Sequence, residues 1–138
     1  MKARGLLLAG LLAITPLHAY ATEPFWLKDW TVSGIDHAKT HPDLQRFIGT
    51  HIRMSAHSFR DETYEDCTGT VDYSDIQLRS TADLAQHFGT NWHWPKFPQA
   101  NAVYGWVRCD GANSGGFAFV DSLHAYRFYE EGAVLQLQ

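Results

Sequence analysis

From Thr50 to Phe59, apolar and polar residues change places one by one. Ile52, Met54 and Ala56 fall on one side and His51, Arg53, Ser55 and His57 on the other, the period of a half-buried strand. Glu23 to Trp30 leads into an earlier strand at Trp30 to Gly34, and Val71 to Leu78 forms a weaker one. The last third holds four runs rich in Val, Phe, Tyr and Leu: Ala102 to Cys109, Gly116 to Val120, His124 to Tyr129 and Ala133 to Leu137. The breaks are Asp110 to Gly115, Asp121-Ser122 and Glu130-Glu131-Gly132, turn residues at hairpin spacing. Within the first of these runs Tyr104, Trp106 and Arg108 point opposite to Val103, Val107 and Cys109. Both faces therefore carry bulk, and alternation alone does not assign the core face.

Two segments follow the helical period instead. In His41 to Gly49, Pro42 suits a first turn, Asp43 the positive end of the dipole and Gly49 a left-handed C-terminal position. Leu44, Phe47 and Ile48 share its apolar face. In Ser80 to Gly89, Ser80 can cap, with Asp83 three residues on, and Leu84 and Phe88 form the apolar edge. About seven strands with short turns and two short helices predict an all-β, mainly antiparallel domain, a small barrel or strongly curved sheet.

The N-terminus changes this picture only by what it removes. Met1-Lys2-Ala3-Arg4 is positive, Gly5 to Leu17 is almost wholly apolar, and Ala19-Tyr20-Ala21 is an A-x-A cleavage pattern. The apolar run is shorter than the roughly 20 residues that span a bilayer. Residues 1–21 are read as a secretory signal peptide and 22–138 as a single β-rich domain, without a stable membrane anchor after cleavage. The expected location is periplasmic or secreted. Losing Lys2 and Arg4 deepens the net charge of −4 by two, which argues against nucleic acid as a partner. Cys67 and Cys109 are an even pair in an oxidising compartment, and one disulfide is the simplest outcome.

The order of motifs is Trp30-Thr31-Val32, then Phe47-Ile48-Gly49-Thr50-His51-Ile52-Arg53-Met54-Ser55-Ala56, an acidic stretch ending in Cys67, a small helix, Val107-Arg108-Cys109-Asp110, and a final hairpin from Tyr126 to Leu137. It resembles a group of small exported proteobacterial proteins with a lipocalin-like β-barrel, one disulfide and no assigned biochemistry. The resemblance covers Trp30 to Leu137. It implies fold and location and carries over no catalytic residue. Lys28-Asp29-Trp30 stands where the lipocalins proper have Gly-x-Trp.

Candidate chemistry is sparse. His37 and His41 stand four apart, but Ala38 follows the first and Pro42 the second, so a zincin-like helix is not expected. His51 and His57 are too far apart on one strand for a single metal ion. No G-x-S-x-G elbow accompanies the serines, and the carboxylates of Asp61 to Asp66 crowd one loop that reads as solvated. No catalytic residue, metal or cofactor is assigned. Asn91 to Pro98 is the most unusual stretch, holding Trp92, His93, Trp94, Lys96 and Phe97 together with two prolines, Pro95 and Pro98, between a helix and a strand. Those rings either plug one end of the barrel or form a rigid binding loop, since a stiff loop with exposed Trp suits an interface.

The expectation is therefore a monomeric, non-catalytic binding protein. The favoured reading is an inhibitor or immunity-type protein with a protein partner, an envelope or secreted enzyme. A lipocalin-like carrier of a small apolar ligand is the alternative, and an enzyme the third. N-terminal sequencing of the exported protein is expected to begin at Thr22, and a start at Met1 would contradict the leader assignment.

Overall fold

The structure is a computed structural model and describes residues 22–36, 41–89, 92, 94–129 and 132–138. The leader assigned to residues 1–21 lies outside them. Nine strands form one sheet: β1 (Asp29–Asp36), β2 (His51–Ser55), β3 (Ser58–Asp61), β4 (Val71–Asp72), β5 (Gln77–Ser80), β6 (Asn101–Cys109), β7 (Ala112–Phe119), β8 (Ala125–Phe128) and β9 (Val134–Leu137). Their order is β3-β2-β1-β9-β8-β7-β6-β4, with β5 also on β6. All neighbours run antiparallel. The sheet is an all-β, nearly closed barrel, as the alternation predicts.

The strand count exceeds seven because two predicted strands divide. Thr50 to Phe59 is a hairpin: Ser55 faces Ser58 across Ala56-His57. A single strand would place Phe59 on the polar side, whereas the reversal buries it opposite Met54. His57 accordingly sits on a turn and no longer shares a strand with His51. Val71 to Leu78 divides because the chain leaves β6 between β4 and β5, turning through Asp75. Gly105 permits this, for a Cβ there would lie 2.2 Å from the Asp75 carbonyl oxygen. Ala112 to Gly115, read as loop, belongs to β7. The turn is Asp110-Gly111 alone, with φ of 51° and 82°, the left-handed pair of a two-residue hairpin.

The first helical segment is a 3₁₀ helix, Pro42–Phe47. Its three residues per turn stack Leu44 over Phe47 and throw Ile48 into solvent, so the predicted apolar trio becomes a pair. The second begins as a 3₁₀ turn, Thr81–Asp83, and continues as α1 (Leu84–Phe88). Ser80 Oγ accepts the Ala82 N–H, and Leu84 and Phe88 are buried.

Closure has two parts. The first strand meets the last: Thr31 and Gln138 exchange backbone hydrogen bonds of 2.8 and 2.9 Å. The remaining seam, between β3 and β4, lacks a ladder among the described residues and is crossed by individual links. Cys67 N–H donates to Phe59 O (3.0 Å), Tyr73 Oη donates to Ser58 O (2.6 Å), and Cys67 is bonded to Cys109 at the end of β6. Burial pushes the Tyr73 phenol up to about 12, so it remains a donor across the neutral range.

Apolar side chains pack on both faces of β6–β8. Trp30, Val32, Ile52, Phe59, Val107, Phe117, Phe119 and Leu135 fill the barrel. A second layer outside it holds Leu84, Phe88, Tyr104, Ala118, Phe128 and Val134. The ambiguity at β6 is thereby resolved: Val103 and Val107 face the barrel, and Tyr104 and Trp106 face α1.

Replacing Cys67 and Cys109 together by serine opens a loop of 42 residues. The expected loss is up to about 4 kcal/mol on the chain-entropy account, read as a lower urea midpoint than that of the oxidised protein. An unchanged midpoint would show that the backbone links alone hold the seam.

Candidate functional site

The aromatic loop lands on the outer face of the barrel. Trp92, Trp94 and Phe97 are half-buried against the second layer, and Lys96 is exposed. His93 lies outside the described residues. The Trp92 ring is 5.9 Å from Phe128 and its Nε1–H donates to Phe88 O at 3.0 Å. Trp94 lies 5.2 Å from Phe128 and Phe97 5.5 Å from Tyr126. These rings are thus the roof of an apolar sheet face rather than a plug in the barrel end. The reason is the bulk on both faces of β6–β8, which one core cannot cover.

Beside this roof is an open cleft of about 610 Å³. It forms where β8 stops. β8 pairs with β7 only from Gly116 to Phe119, whereas β7 runs back to Ala112. Asn113, Ser114 and Gly115 therefore line the cleft beyond the end of their neighbour. Phe88, Trp92, Trp106 and Phe128 form the wall on the outer layer, and Tyr64, Arg127 and Tyr129 the side towards the barrel's interior. Among the described residues of the predicted loop, Trp92 is the one that lines the cleft. Trp94 and Phe97 line a smaller groove of about 260 Å³ against α1.

Arg127 is the unexpected member. It points into the barrel, with its side chain 4 % exposed against 0 % for Asp61. Nε and Nη2 both donate to Asp61 Oδ2, at 2.8 and 2.7 Å. Nη1 donates to Phe128 O. The guanidinium lies 5.2 Å from the Tyr129 ring and 5.5 Å from Phe117. Asp61 Oδ1 accepts from the Thr63 N–H and hydroxyl. The acidic stretch is thus not uniformly solvated: Glu62, Glu65 and Asp66 are exposed, while Asp61 is sealed by a cation from another strand. A single Arg among the apolar residues of Ala125 to Tyr129, at an inward position, was the sequence signal for this pair.

A second polar cluster secures the outer layer. Asp75 accepts from the Trp106 N–H (2.7 Å) and from Arg79 Nη2 (3.2 Å), and it pairs with His87 Nε2 (2.8 Å). Arg108 Nη2 is 3.8 Å away. One carboxylate thereby joins β5, β6 and α1. A His–Asp pair is an element of general-base chemistry, but His87 hydrogen-bonds no nucleophile among the described residues. Nor do three His, Cys, Asp or Glu side chains gather in a metal-binding arrangement there.

Burial alone would raise the Asp75 carboxyl. The Trp106 N–H, the His87 ring and Arg79 outweigh it and hold the group below its ordinary value of 3.8. A carboxyl lowered on folding stabilises the fold above its ordinary value, and that contribution is lost as pH falls through the folded value. Urea unfolding followed against pH should show Asp75→Asn less stable than the parent at neutral pH, with the difference shrinking on the acid limb. A difference that does not change with pH would deny the carboxylate this role.

Among the described residues no helix is long and apolar enough to cross a membrane. Comparisons of the chain with protein-family models, curated proteins and solved structures find no match.

Proposed function

We propose that this chain is an exported, non-catalytic binding protein that holds a small ligand in the open cleft at the end of β8. The observation that carries the reading is the cleft itself. Its volume of about 610 Å³ falls in the range of ligand sites, and its wall of aromatic rings with a few polar groups is their usual lining. Within the barrel, Trp30, Phe59, Phe117 and Phe119 are fully buried and their rings pack on one another. The ligand place is therefore beside the barrel, unlike that of a carrier with a hollow core. The Cys67–Cys109 bond supports export, since such bonds persist in oxidising compartments.

A packed interior also favours a second reading, an inhibitor that presents this face to an exported enzyme. The two part on the mass of what is bound. Native mass spectrometry of protein purified gently from its own compartment is expected to show an added mass of a few hundred daltons. A bare chain that gains such a mass from no extract of that compartment would replace the small-ligand reading with the inhibitor.

A further inference from the structure

We infer that the cleft takes a neutral saccharide, with sugar rings against the indoles of Trp92 and Trp106 and hydroxyls met by Ser114 and Asn113. The inference rests on the cleft being a ligand site and names the class of ligand.

Charge is the first ground. Arg127 is the one ionic group among the described residues that line the cleft, and it is taken by Asp61 through bonds of 2.7 and 2.8 Å. An anionic ligand could recruit it only by leaving the Asp61 carboxylate buried without its cation. Among the described residues of the lining no free carboxylate meets a cationic ligand, and the described lining fits a molecule without net charge.

Shape is the second. The cleft is open along one side, so an acyl chain laid in it would keep much of its surface in water, whereas apolar ligands are held by enclosure. A pyranose differs on its two kinds of surface. Its C–H faces carry slight positive charge and suit the negative face of an aromatic ring, while its rim of hydroxyls stays hydrated or hydrogen-bonded. Trp92 and Trp106 both line the cleft and are only partly buried. Both are held in advance. Phe88 packs 5.2 Å from Trp106 at 68° and is itself 4.7 Å from Phe128, and Trp92 is tethered through its indole N–H. Rings fixed before binding lose little freedom on it.

Hydrogen-bonding capacity is the third. The Ser114 hydroxyl has no partner among the described residues, and the Asn113 amide nitrogen is likewise unused, its oxygen accepting from Arg108 Nε at 3.4 Å. These are neutral groups that donate and accept, as hydroxylated ligands require.

The test uses the intact exported protein on a printed array of neutral and acidic glycans, with hits measured by calorimetry and by tryptophan fluorescence. N-phenylnaphthylamine, a neutral apolar dye, serves as a second probe. At least one neutral glycan is expected to bind. Trp106→Ala should weaken it by about tenfold or more, Ser114→Ala by a smaller factor, and Leu123→Ala, exposed and outside the cleft lining, should leave it unchanged. Ser114→Ala keeps the test decisive should Trp106→Ala fail to fold. Glycan binding that is indifferent to the Trp106 and Ser114 substitutions would overturn the site, and preference for acidic glycans would overturn the ligand class. A silent array with Trp106-dependent dye binding would overturn the saccharide and leave the cleft standing. Silence with both probes would remove the cleft reading as well.

Discussion

Inside an apolar barrel one guanidinium is nearly sealed from water, and the 61–66 loop, Phe117 and Tyr129 are arranged around it. Arg127 on β8 reaches Asp61 at the end of β3, which is far from β8 in the order of strands. The pair adds little net stability over an apolar replacement of the same volume, but removing one partner alone leaves a buried charge, typically a cost of about 3–5 kcal/mol. Its consequence is geometric. It holds the 61–66 loop against β8, and the Tyr129 hydroxyl reinforces that by donating to Thr63 O. It also sets the spacing of Phe117 and Tyr129 on either side of the cation. Gly115 belongs to the same arrangement, since a Cβ there would approach the Phe117 ring to 2.9 Å and Arg127 Nη2 to 3.3 Å.

The cleft follows from the way two neighbouring strands end. β8 stops at Phe128 while β7 continues to Ala112, so the sheet opens beside Gly115. On the inner side stands the Asp61–Arg127 pair, and on the outer side the aromatic layer. That outer layer exists because β6, β7 and β8 present apolar side chains to both faces, and α1 with the aromatic loop covers only part of the outer one. Asp75 keeps the cover in place by accepting from the backbone of Trp106, from Arg79 and from His87 at once. An uncompensated cavity would be costly in such a core. An open cleft with polar members on its rim stays hydrated and carries no such penalty.

The strands and their antiparallel hairpins were legible in the sequence because each is a local property, and the pairing of Cys67 with Cys109, 42 residues apart, because they are the two cysteines of the chain. Alternation marks a strand, Asp110-Gly111 marks a tight hairpin, and Ser80 marks a helix start without reference to anything distant. The errors were of phase. Met54 and Phe59 lie five apart, which breaks a period of two, and only a reversal at Ala56-His57 buries both. Ile48 shares an α-helical face with Leu44 but not a 3₁₀ one.

The candidate site was legible only in fragments. Trp92 was singled out for its neighbours in sequence, whereas Trp106, Ser114, Arg127 and Tyr64 come from four separate segments. By itself the sequence determined a small all-β domain with two short helices, because backbone preference and alternation act over a few residues, and one staple, because it holds a single pair of cysteines. Tertiary structure alone decided that apolar layers pack on both faces of β6–β8, the outer one only in part, that Asp61 and Arg127 meet, and that β7 outruns β8 to leave a cleft. Those facts depend on which strands become neighbours and in what register. That choice is settled by the joint packing of residues far apart in the chain.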